Sequence, residues 1–135
     1  MTNEDTGPAA LRETYLRYLE CLNRQAWSEL GEFVRDDAVH NGRAFGLKGY
    51  CEMLIKDYED IPDLYFSASL VVCEPPMIAA RLEFRCSPRG VFLGLPVNGR
   101  TISFAEHVTY EFEGSKIVKV WSILDKSVVE LQIAG

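Results

Sequence analysis

Three residues in this chain are of the right type to move protons: Glu106, Asp125 and His40. The stretch KIVKVWSILDK, residues 116–126, reads as a strand. Its alternation puts Trp121, Ile123 and Asp125 on one face and Val120, Ser122 and Leu124 on the other. An acid aimed beside a tryptophan and an isoleucine must be paired, neutralised or set at the strand's end, because burying an unpaired charge costs several kcal/mol. A two-residue hairpin at Gly114-Ser115 fixes the expected register with the strand before it. Phe112 then faces Ile117, Tyr110 faces Lys119, Val108 faces Trp121, Glu106 faces Ile123 and Phe104 faces Asp125. Glu106 and Asp125 become diagonal neighbours about 7–8 Å apart on a face rich in aromatic rings. Lost solvation and mutual repulsion raise the pKa of at least one of them, which suits a general acid/base for enolisation, aldol closure or isomerisation.

The same residues have plainer readings. Glu106 could pair with Arg81 or Lys119, and Asp125 could cap a turn beginning near Ser127. Phe104, Tyr110, Trp121, Ile123 and the helical Tyr15 are candidate walls for a flat ligand, and also ordinary core residues. His107 falls on the face opposite Asp125. Arg81 points away from the row of Ile78, Leu82 and Phe84. No metal site is expected, because the two histidines are far apart and no HxxxH or Cys/His pairing occurs. No G-x-S-x-G elbow or phosphate-cradling glycine loop is present, so no cofactor is implied.

The elements that would position these groups follow from periodicity. Pro8 suits a first helical position, and Leu11, Tyr15, Tyr18, Leu19 and Leu22 recur at helical spacing. A shorter helical pattern spans about residues 26–34, and DDAVHNG after it reads as a brief strand or turn carrying His40. Cys51, Leu54, Ile55 and Tyr58 mark a third helix, which ends at DIPD because the residue before proline resists helix. Strands follow over residues 65–73, 77–86, 100–112 and 116–125, with a closing helical turn over 127–133. Turns at Pro75-Pro76 and Gly114-Ser115 and a longer loop, SPRGVFLGLPVNG, make the strands an antiparallel meander. Helices clustered ahead of such a sheet predict an α+β architecture with the helices packed on one face.

The chain has 135 residues, 47% of them hydrophobic, which is the size of one globular domain with its own core. That domain covers residues 1–135, with a polar tail over about residues 1–8. The formal charge of -6 and the lack of a Lys/Arg cluster disfavour a nucleic-acid partner and favour a small, weakly polar ligand. Cys21, Cys51, Cys73 and Cys86 lie in apolar segments without a CxxC pair, as reduced core cysteines of a cytoplasmic protein do. No apolar run approaches the roughly 20 residues of a membrane span, so no membrane partner is expected.

The order of segments, YLRYLECLN, DDAVHN, IPDLYF, MIAARLEF, GVFLGLPVNGR, ISFAEHVTYEF and KIVKVWSILDK, resembles the SnoaL-like polyketide cyclases and ester cyclases of the nuclear transport factor two-like superfamily. The most specific pieces are G-x-F-L-G-x-P-x-x-G at residues 90–99 and K-I-x-x-x-W-x-x-x-D at residues 116–125. The resemblance implies a cone-shaped α+β barrel around an apolar pocket, and a homodimer. It implies that Asp125 is the acid/base of an intramolecular aldol condensation and that His40 lines the mouth of the pocket. Where many relatives read G-T-H, this chain has Cys86, Ser87 and Pro88. The expected function is a cofactor-independent cyclase, isomerase or lyase acting on a small, mostly apolar carbonyl compound. The alternative is a non-catalytic ligand-binding or dimerisation domain. A cavity of about 300 Å³ or more with Asp125 at its floor would favour the enzyme, and a filled cone the non-catalytic domain.

Overall fold

A computed structural model describes residues 7–134. The expected polar tail lies, over residues 1–6, outside the described residues. Helix α1 runs Pro8–Asn23 with Pro8 in its first turn, where a missing N–H costs nothing, and it buries Leu11, Tyr15, Tyr18, Leu19, Cys21 and Leu22. A 3₁₀ helix, Trp27–Glu32, replaces the expected second helical segment. Strand β1 then spans Val34–His40, longer than the brief strand or turn expected there.

Helix α2, Gly46–Asp60, starts one turn earlier than its apolar spacing suggested. Gly46 makes that start possible: its φ is +66°, and a Cβ there would lie 2.6 Å from the carbonyl oxygen of Asp36 in β1. The helix stops before Pro62, as the sequence predicts.

Strands β2 (Ser67–Glu74), β3 (Met77–Cys86), β6 (Ile102–Glu113) and β7 (Lys116–Leu124) form the expected antiparallel meander. The loop between β3 and β6 folds into a small hairpin of its own, β4 (Val91–Phe92) and β5 (Leu95–Pro96). Strand β1 joins the meander beside β7 in parallel, giving the order β1-β7-β6-β3-β2. The sheet does not close, so the cone is completed by helices and the architecture is α+β. Helix α3, Lys126–Ala134, follows β7 and packs on β6.

Alternation along β3 buries Ile78, Ala80, Leu82, Phe84 and Cys86 and turns Arg81, Glu83 and Arg85 outward, where Arg81 pairs with Glu83 at 2.9 Å. Each Leu, Ile or Phe removed from water on the inner face contributes about 1.5–3 kcal/mol.

One irregularity changes which residues share that inner face. The Gly114-Ser115 hairpin holds, with Gly114 at φ +62°, Glu113 opposite Lys116 and Phe112 opposite Ile117. Glu111 then pairs with Lys119, so Val118 is an extra residue in β7. A bulge of one residue flips every later side chain to the other face. Beyond it Tyr110 faces Val120, Val108 faces Ser122 and Glu106 faces Leu124, which corrects the register expected from uninterrupted alternation.

No helix among the described residues is long and apolar enough to cross a membrane.

Candidate active site

The inner face of the sheet and the helices α1 and α2 enclose a cavity of about 540 Å³. Its aromatic wall is continuous: Phe66 packs edge-on against Phe84 (centroids 5.4 Å apart), Phe84 stacks with Phe104 (5.2 Å), and Phe92 from the small hairpin leans on Phe104 (5.1 Å). Leucines and Met53 fill much of the remaining lining. Such a surface suits a flat, largely apolar molecule.

Polar groups interrupt this surface, among them Glu106, Asp57, His40 and the cation of Lys126. Glu106 on β6 lines the cavity and accepts a hydrogen bond from Ser122 Oγ on β7. Burial raises its pKa, and the Ser122 hydrogen bond, which favours the charged form, opposes the rise. Ser122 is itself held by Asn41, which follows β1 in a left-handed conformation (φ +48°). The Asn41 side chain accepts from Ser122 N at 2.8 Å and donates to Ser122 O at 3.2 Å, while Asn41 N donates to Val120 O at 2.8 Å. The end of β1 therefore fixes the strand that fixes Glu106.

Asp57 is the second acid. It projects from α2 into the cavity, with no hydrogen-bond or ion-pair partner for its carboxylate among the described residues. Burial first, then the charges of Glu106 and Asp60, push its pKa up to about 7, with Lys56 pulling the other way. Two acids facing one apolar cavity, with at least one of them titrating near neutrality, can hold a carboxylate and a carboxylic acid side by side. Sequence reading missed Asp57 by taking Cys51, Leu54, Ile55 and Tyr58 as the buried stripe. Its signal was spacing: Asp57 lies two turns after Tyr50 and one turn after Met53 and Leu54, all three of which line the cavity.

His40 lines the cavity at the end of β1. Its ring stacks on Phe45 at 6.0 Å and meets the edge of Tyr50 at 5.9 Å. Burial and the nearby Arg43 lower its pKa, so it is neutral at pH 7. Two hydroxyl pairs complete the polar lining and its backing: Tyr18 and Tyr50, with oxygens 2.6 Å apart, and Tyr15, which donates to Tyr110 at 3.2 Å.

Of the residues singled out from sequence, the cavity brings together Glu106, His40, Phe104 and Tyr110. Tyr15 is fully buried behind Tyr110 and does not reach the cavity. Asp125, Trp121 and Ile123 are elsewhere, for the reason the bulge supplies. Trp121 pairs with Thr109 and Ile123 with His107 on the outer face, where they are 45% and 72% exposed. Asp125 follows the strand and accepts from Val128 N at 3.3 Å as the N-cap of α3, the plainer of its two readings. Glu106 pairs with neither Arg81 nor Lys119; Ser122 is its partner. No cluster of three or more His, Cys, Asp or Glu side chains that could hold a metal ion occurs among the described residues.

Helices laid over a mainly antiparallel sheet, with two acids in the lining of an aromatic-walled hollow, make an α+β cone. The profile of the SnoaL-like polyketide cyclases matches residues 12–133, and the chain belongs to that family. It is similar to a protein of Agrobacterium tumefaciens strain C58 named as a SnoaL-like polyketide cyclase, with 54% identity and a TM-score of 0.90 over 91% of this chain and 97% of the other. At the level of fold it also matches TsrD of Streptomyces laurentii (20% identity, TM-score 0.81, covering 94% and 96% of the two chains). IdmH of Streptomyces antibioticus is a further structural match (20% identity, TM-score 0.79, covering 93% and 99%). No match is found among curated proteins.

Proposed function

We propose that the cavity is the active site of a cyclase or isomerase in which Glu106 and Asp57 exchange protons with an enolisable, mostly apolar carbonyl compound. The observation that carries this reading is the pair of carboxyl groups with raised pKa values on the wall of one 540 Å³ cavity. A volume above about 300 Å³ is room for a guest molecule and argues against a cone filled by its own side chains.

The chemistry needs only proton transfers. One carboxylate removes a proton from the carbon next to a carbonyl, leaving an enolate. In an isomerisation, a proton returns to a different carbon. In an aldol closure, the enolate carbon bonds to a second carbonyl carbon of the same molecule, and the protonated carboxyl gives its proton to the alkoxide that results. Acid/base assistance of this kind contributes about 10²–10⁴ in rate. Excluding water and folding the chain against the Phe66, Phe84, Phe104 and Phe92 wall add the gain from holding reacting atoms together. His40, neutral and only partly buried in the lining, is suited to pass protons between the cavity and solvent.

The test is the exchange of α-protons of a simple aryl-fused ketone in D₂O, followed by proton NMR. Wild-type protein should accelerate exchange, and Glu106→Gln should reduce it about 100-fold or more. Equal rates in the two proteins would remove Glu106 from the chemistry.

A further inference from the structure

The Tyr18 and Tyr50 hydroxyls have a capacity that the acid/base reading leaves unused. Tyr18 comes from α1 and Tyr50 from α2, both line the cavity, and their oxygens are 2.6 Å apart. A single proton joins the two oxygens, so the pair retains a second O–H, and neither hydroxyl has another partner among the described residues. The rings are locked: Tyr50 meets the edge of His40, and Tyr18 is packed between Phe33 at 6.2 Å and Tyr110 at 5.9 Å. Burial, with the charge of Glu106 among the lesser causes, holds both phenols above their ordinary pKa, so the pair is a neutral donor throughout the physiological range. Glu106 is close enough to act on both phenols electrostatically.

We propose that the Tyr18–Tyr50 hydroxyl pair is the oxygen-binding element of this site, donating to the carbonyl oxygen of a neutral ketone whose α-carbon is turned toward Glu106. The proposal rests on the proton-transfer reading above and names what that reading needs. When Glu106 takes the α-proton, the C–H electron pair becomes the enolate double bond and negative charge gathers on oxygen. A donor already aimed there stabilises that charge without reorganising. Because each hydroxyl backs the other, the donor is polarised by its neighbour as charge develops. The arrangement also selects substrates. A carboxylate bound at the pair would set a second negative charge within electrostatic reach of Glu106, whereas a ketone brings none until the proton has moved.

The test uses the full chain and 2-tetralone labelled with ¹³C at its carbonyl. In wild-type protein the bound carbonyl resonance should move downfield of its position in water, and α-deuterium exchange should be accelerated. Tyr18→Phe/Tyr50→Phe keeps both rings and should retain ketone binding within a few-fold, lose the downfield shift, and lower the exchange rate at saturation about 100-fold with little change in KM. Glu106→Gln should keep the shift and lose exchange. A double variant whose bound ketone shows the wild-type shift overturns the tyrosine assignment and leaves the role of Glu106 standing. Wild-type exchange in Glu106→Gln with the shift intact overturns the carboxylate reading alone. Failure of the ketone to bind saturably overturns both.

Discussion

Glu106 accepts its hydrogen bond from Ser122 only because Val118 is an extra residue in β7: the bulge brings Ser122, in place of Trp121, to the face that Glu106 occupies. This bond favours the ionised carboxyl, while burial favours the neutral one. Ser122→Ala should therefore raise the Glu106 pKa further, and the acidic limb of the pH–rate profile for ketone exchange should move to higher pH. An unmoved limb would mean that the titrating group is not Glu106.

Asp57 gives a prediction about stability. Its folded-state pKa of about 7 lies above the ordinary carboxylate range, so the fold favours the protonated form. The stabilisation is present below about pH 4, the unfolded value, and is lost as pH rises through the folded value. Glu106, also raised, acts in the same direction, and Lys56 opposes. Asp57→Asn should flatten the fall in Tm between pH 5 and pH 8 and raise Tm at pH 8 by about 4 °C or more, equivalent to about 1 kcal/mol. Parallel Tm curves for wild type and variant would contradict this.

Asp125 should matter to α3 and not to the chemistry. Losing an N-cap costs about 1 kcal/mol. Asp125→Ala should lower stability by that amount in urea denaturation and leave α-proton exchange within about two-fold, a free-energy change of roughly 0.4 kcal/mol. Abolished exchange in a folded variant would return the aspartate to the catalytic role that the family resemblance implied.

The family resemblance implies a homodimer, and the outer sheet face offers a surface for one. Cross-strand rows place Val72, Ala79, Thr109 and Trp121 beside Leu70, Arg81, His107 and Ile123. Leu70, Val72 and Ile123 are more than half exposed, an apolar patch around Arg81 and His107 that a second copy could cover. We propose that it does so. Sedimentation should give a dimer for wild type and a monomer for Trp121→Glu/Ile123→Lys. A wild-type monomer at micromolar concentration would rule the interface out.

The sequence made the helices and long strands legible, since Leu11 to Leu22 in α1 and Ile78 to Cys86 in β3 each repeat one period without interruption. The parallel pairing of β1 with β7 was not legible, because it joins segments far apart in the chain whose local patterns do not encode it. Alternation along their strand set Phe104, Glu106 and Tyr110 on one face, whereas the place of His40 came from the family resemblance. Trp121, Ile123 and Asp125 were misplaced because a bulge carries no compositional mark: Val118 looks like any other strand valine. Asp57 was overlooked because a polar residue in an apolar helical stripe reads as an interruption until the cavity it faces is known.

Glu106 and Asp57 share the cavity wall, burial raises the pKa of both, and the proposed chemistry has them trade protons there. The most direct test of that exchange is a ¹³C NMR titration of the side-chain carboxyls in wild type and in Glu106→Gln. Both should titrate above their ordinary values in wild type, with Asp57 near 7, and Asp57 should fall once the charge on residue 106 is gone. Titration of both groups near about 4 in wild type, with Asp57 unchanged in Glu106→Gln, would contradict it.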